Sequence, residues 1–149
     1  MYSCPQVLKC VVGYWLAVLA SMASALDLAS SEFASLTQLG EGNIGLLQQM
    51  GAAHIISAWQ AGSLHRLSVQ QSGELNTATL VQNGILNTIS LIQHGVLNSA
   101  SVTQSGTQIS ATVLQDGWGH HADIRQYKSF SDAVIHQEGY QGRATLVQY

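Results

Sequence analysis

Along residues 38 to 149, apolar and polar positions alternate with a period of two, and the alternation restarts every eleven residues. Counting from a glutamine at zero, position +9 is always apolar: Leu47, Ala58, Val69, Leu80, Leu91, Val102, Val113, Ile124, Ile135 and Leu146. Position +7 is small or apolar, as in Ile56, Ala78, Ile89, Ala100 and Ala122. Positions +6 and +8 between them are largely hydroxylic, as in Thr77/Thr79, Thr88/Ser90 and Ser99/Ser101. This is the pattern of a half-buried strand. An eleven-residue period would also suit a right-handed helical coil, but apolar positions two apart and a glycine in every unit exclude it.

The glutamines that set the frame are Gln38, Gln49, Gln60, Gln71, Gln82, Gln93, Gln104, Gln115, Gln126, Gln137 and Gln148. Two residues after them stand Gly40, Gly51, Gly62, Gly73, Gly84, Gly95, Gly106, Gly117 and Gly139, with Lys128 the one exception. Position +5 is most often asparagine (Asn43, Asn76, Asn87, Asn98) or histidine (His54, His65, His120). A strict short repeat means stacked equivalent units. Each unit reads as a strand of about seven residues closed by a four-residue arc. Glycine supplies the positive φ of the arc, and asparagine ends it by bonding nearby backbone and tolerating left-handed geometry.

Two units make one rung. The predicted fold is all-β, a narrow β-solenoid of five 22-residue rungs with two facing parallel sheets, the rungs at about 39–60, 61–82, 83–104, 105–126 and 127–148. Residues 26–37 read as a leader ahead of the 38–149 repeat domain. Position +5, +7, +9 and the next glutamine share one face, so the amides point inward. A buried amide left unpaired costs roughly 1–3 kcal/mol, so they are expected to bond to their equivalents along the axis, as in cross-β amide ladders. Solvent positions would not hold one residue type so strictly.

Charged residues are 9% of the chain, against roughly 25% in an ordinary soluble domain. The single proline, Pro5, lies outside the repeat, so nothing in the strands blocks pairing. No basic patch suggests nucleic acid. Residues 1–25 read as a secretory signal: Lys9, the apolar stretch Val11 to Met22, then Ala23-Ser24-Ala25 as the cleavage site. Both cysteines, Cys4 and Cys10, would leave with it. The remainder, from Leu26, has four basic and eight acidic residues and a formal charge of −4.

Other chemistry is weak. His120, His121 and Asp123 have the spacing of a metal set, but in a strand His120 points in while the other two point out. No catalytic triad or carboxylate pair assembles, because Glu41, Glu74, Asp116 and Glu138 fall in arcs. No cofactor, metal or catalytic residue is therefore assigned. Trp59, Trp118, Tyr140 and Tyr149 could form a carbohydrate-binding platform, or simply cover exposed sheet.

The half-repeats Gln71-Ser-Gly73-Glu-Leu-Asn76-Thr-Ala78-Thr-Leu-Val-Gln82 and Gln93-His-Gly95-Val-Leu-Asn98-Ser-Ala100-Ser-Val-Thr-Gln104 resemble the curlin repeat. Curlins are the secreted subunits of curli, the extracellular functional amyloid of Gram-negative biofilms. The resemblance implies passage through the periplasm and a dedicated outer-membrane pore with its accessory factors. It also implies a cell-surface location and, as partners, further copies of the chain and a major curlin. The leader Asp27 to Phe33 is similar to that of the minor, nucleating curlin. The irregular last rung, with Lys128 for glycine, Ser131 and Gly142 for asparagine, and Arg143, is similar as well. Arg125, Lys128 and Arg143 are then the expected contacts to the outer-membrane surface or to a fibre partner. The alternatives are a major, elongating curlin, or a monomeric solenoid that binds a regular surface such as ice through its outward Thr-x-Thr pairs.

Overall fold

The computed structural model describes the backbone of residues 9–13 and all of residues 32–149. The first strand is β1 (Lys9–Gly13), followed by β2 (Phe33–Leu39), β3 (Ile44–Ala52), β4 (Ile55–Ser63), β5 (Arg66–Glu74) and β6 (Thr77–Ile85). Then come β7 (Thr88–Val96), β8 (Ser99–Thr107), β9 (Ser110–Trp118), β10 (His121–Gln126), β11 (Asp132–Tyr140) and β12 (Arg143–Gln148). Strands alternate between two parallel sheets. One has the order β1-β2-β4-β6-β8-β10-β12, the other β3-β5-β7-β9-β11. From β2 onward every pairing is displaced by 22 residues, as in Thr77↔Ser99 and Ser99↔His121. This is the β-solenoid expected from the repeat, with about five turns.

Two apolar residues per strand, with the glutamine beside them, fill the space between the sheets. The buried core comprises residues such as Ile56, Ala78, Leu80, Ile89, Leu91, Val102 and Ile124. Ala34, Leu47, Ala144 and Leu146, all on strands at the two ends, are only partly covered. Among the residues whose side chains are described, every member of the core lies between Leu36 and Ile135.

Three details differ from the sequence expectation. Most strands run nine residues rather than seven, because the arcs stack in register and the pairing continues through them, as at Gly51↔Gly73. The stack also begins half a rung early: β2 takes in Phe33–Thr37 of the leader, with Ala34 and Leu36 paired to Ile56 and Ala58. Finally, asparagine does not take the left-handed conformation. The residue before it does: Leu75, Leu86 and Leu97, and likewise Leu64 before His65, have φ of 56–60°, and they cost more there than asparagine or glycine would.

Glycine is required for a second reason besides its φ. A Cβ on Gly95 would lie 2.0 Å from the carbonyl oxygen of Gly117 in the next arc, and the same holds at Gly51, Gly73 and Gly84. The arcs are stacked too closely for any side chain. At Lys128 this contact is lost: β10 stops at Gln126, and Gly106 faces Ser129 Oγ rather than a glycine carbonyl. Of the segment 1–25 read above as a secretory signal, only the backbone of β1 lies within the described residues, paired in parallel with β2. The apolar stretch beyond Gly13 and the cleavage site lie outside them.

Candidate functional site

Every glutamine of the frame joins one of two axial ladders. On the first sheet Gln38 Nε2 donates to Gln60 Oε1 (2.6 Å), Gln60 to Gln82 (2.8 Å), Gln82 to Gln104 (3.1 Å), Gln104 to Gln126 (3.2 Å) and Gln126 to Gln148 (2.9 Å). On the second, Gln49 donates to Gln71 (3.1 Å), Gln71 to Gln93 (2.7 Å), and Gln93 to Gln115 and Gln115 to Gln137 (both 2.8 Å). The donors all point the same way along the axis. The second amide hydrogen crosses to the opposite sheet, as from Gln82 to Arg66 O (3.2 Å) and from Gln93 to Thr77 O (3.1 Å). Each buried amide other than that of Gln38 thus has partners for both its oxygen and its nitrogen. It stitches both the rungs and the two sheets, a cross-sheet bond that the spacing alone did not reveal.

The asparagines bond differently, to backbone rather than to one another's amides. Asn76 Nδ2 donates to Ser72 O (2.9 Å) and Gly95 O (3.0 Å), while its Oδ1 accepts the N–H of Asn98 (3.0 Å). Asn43, Asn87 and Asn98 repeat the arrangement. Histidine copies it: His65 Nε2 faces Ala61 O (2.9 Å) and Nδ1 accepts the N–H of Asn87 (3.3 Å). His54 and His120 do the same toward Asn76 and Gly142. The pattern fixes a neutral ring with the proton on Nε2. Burial holds the His65 pKa below its ordinary 6.5.

The outer faces carry no comparable order. One column on the first sheet reads Phe33, Ile55, Thr77, Ser99, His121, Arg143, so its hydroxyl array is interrupted at both ends. Arg125 is exposed and paired with Asp123 (2.9 Å). Arg143 projects from the neighbouring strand β12 on the same sheet face, and Lys128 is exposed in the arc that follows Arg125. His120 is buried in its arc, His121 and Asp123 face outward, and among the described residues no three metal-ligating groups converge.

The aromatic residues are dispersed. Trp59 lies on the first sheet, Trp118 and Tyr140 are neighbours at one edge, and Tyr149 stacks on Tyr127 with ring centroids 5.7 Å apart. Trp118 and Tyr140 line an open cleft of ≈ 340 Å³ with Asp116 and Glu138. Those carboxylates already face His94 and His136 at 2.9 Å.

The ends of the stack are chemically incomplete. Strands β3, β11 and β12 each have one unpaired edge. Among the described residues, the one buried side-chain polar atom without a partner is Gln38 Oε1, at the head of the first ladder. At the far end Gly139 has nothing within 4 Å of where its Cβ would stand, whereas the other arc glycines on its edge meet the next arc.

A family model described as curlin associated repeat matches the chain twice, over residues 66–95 and 98–127. Comparisons with curated proteins and with solved structures give no match. Each matched stretch holds the glutamine, glycine and asparagine columns that the structure stacks at 22-residue intervals. Over these two stretches, 60 of its 149 residues, the chain carries the curlin-associated repeat.

Proposed function

We propose that the chain is a structural subunit of a curli-type extracellular fibre, and that it acts as the minor subunit that nucleates fibres or anchors them at the cell surface. The observation that carries the assembly reading is the pair of one-way amide ladders, three of whose four ends lie at open strand edges (β3, β11 and β12), the fourth, at β2, being covered by β1. Ordinary proteins blunt such edges with charge, proline or a covering element. Here each open edge is a template for more of the same pairing. The match to the curlin-associated repeat supports an extracellular setting on a Gram-negative cell, with adhesion and biofilm as the role of the fibre.

The nucleating role is supported by the irregular last rung. Lys128 breaks the glycine column, β10 is shortened to six residues, and Ser131 Oγ donates to Lys128 O (2.6 Å) instead of extending the asparagine column. Lys128 and Arg143, with Arg125 held against Asp123, are the candidate contacts of this end to anionic outer-membrane groups. Deleting residues 127–149 should leave a chain that polymerises alone but is shed from cells and no longer seeds a major curlin. A truncated chain that stays surface-bound and seeds normally would make this an ordinary elongating subunit.

A further inference from the structure

The solenoid proper, β2 to β12, has eleven strands, six on one sheet and five on the other. An odd number decides how two copies can meet. If the next copy is stacked with like sheet on like sheet, β2 follows β12, but β3 would then lie two rung spacings beyond β11. The second sheet would miss one strand at every junction, and its glutamine ladder would be cut.

We propose that successive copies are related by a half-turn about the fibre axis, so that β11 pairs with β2 of the next copy and β12 with its β3. This rests on the assembly reading above and specifies its interface. The eleven-residue repeat makes strands of the two sheets equivalent, so the rotation costs nothing in register. Gln137 Nε2, which now bonds only His121 O (3.2 Å), comes to face the unpartnered Gln38 Oε1. Gln148 Nε2, bonded to Asp132 O (3.2 Å), comes to face Gln49. Donor meets acceptor at both junctions, in the direction that both ladders already run.

Two further observations fit only this arrangement. Ala144 and Leu146 of β12 are half-buried because nothing lies opposite them beyond β11. The half-turn sets the partly buried β2 of the next copy, with Ala34, in that place. The open face of Gly139 then receives the arc of Gly40, restoring the glycine-on-glycine contact of the regular stack. In the full chain β1 occupies the outer edge of β2 and sets Val12, which has no side-chain donor, at the register position of Gln38. The interface therefore opens only when residues 1–25 are removed. The core formed by the described residues, Leu36 to Ile135, is retained whole in the shortened chain.

Helical reconstruction by cryo-electron microscopy of fibres grown from residues 26–149 tests the arrangement. Eleven strands at two per rung give five and a half rungs per subunit, a rise of about 26 Å at ~4.8 Å per rung. The expected symmetry is that rise with a rotation near a half-turn, so that the Trp59 sheet alternates sides from one subunit to the next. A rise of about 29 Å without the half-turn would overturn the interface while leaving the polymer reading intact. Absence of fibres would overturn both.

Discussion

Glutamine is the residue on which the stack depends, and its contribution is separable from that of the apolar core. Replacing Gln93 by Leu keeps the volume but strands Gln71 Nε2 and Gln115 Oε1, each of which bonds only Gln93 along its ladder. The expected loss is roughly 1–3 kcal/mol for each buried group left unpaired. Replacing the outward Thr79 by Ala should stay within about 0.5 kcal/mol. Urea unfolding of freshly dissolved subunit checks the contrast, and equal effects would mean that the interior amides contribute no more than the surface hydroxyls.

His65 makes a second residue-scale prediction. Its folded pKa lies below the ordinary 6.5, so the unfolded chain binds the proton more readily, and stability rises with pH. The contribution of His65 is intact above about 6.5, falls as the pH drops below that value, and levels off beneath the lowered folded pKa. Asn at this position would keep both bonds without titrating. The difference in unfolding midpoint between the parent and His65→Asn should therefore be constant above pH 7 and shift in favour of the variant on acidification. A difference that is flat across that window would show that His65 is not held neutral.

At the scale of the element, the arc sets the strictest requirement. Gly95 and Gly139 both have left-handed φ, of 109° and 91°, but only Gly95 is pressed against a following arc. Alanine at position 95 should prevent the native stack from forming. At position 139 it should cost only the conformational strain, about 1–3 kcal/mol, in the isolated subunit. Circular dichroism and thermal melting distinguish them, and equal tolerance would mean that the arcs are not in close contact.

Most of this element was legible in the sequence. Period-two alternation gave the strand, the eleven-residue reset gave the rung, and the unbroken glutamine column showed which face is inside. What escaped notice follows from tertiary stacking. The left-handed residue is leucine at Leu64 and Leu86, which propensity would never assign, because neighbouring arcs impose the geometry. The stack starts at Phe33 because Ala34 and Leu36 fit the inner positions before any glutamine marks the frame. The cross-sheet bond from Gln82 to Arg66 O depends on the separation of the sheets, which no spacing records.

For the whole molecule the decisive property is that the repeat leaves open strand edges at β3, β11 and β12. Its ladders run one way, the amide donors at one end match the acceptors at the other, and charge is sparse enough that repulsion scarcely opposes stacking. Among the described residues the rung after Gln126 leaves the pattern in both sequence and structure, and the proposed function places there the start or the attachment of a polymer. X-ray diffraction from aligned material grown from residues 26–149 tests the central claim most directly. The account predicts a meridional reflection near 4.8 Å and an equatorial one near 10 Å from the same fibres. A chain that remains monomeric for days at high concentration and yields no such reflections would contradict it.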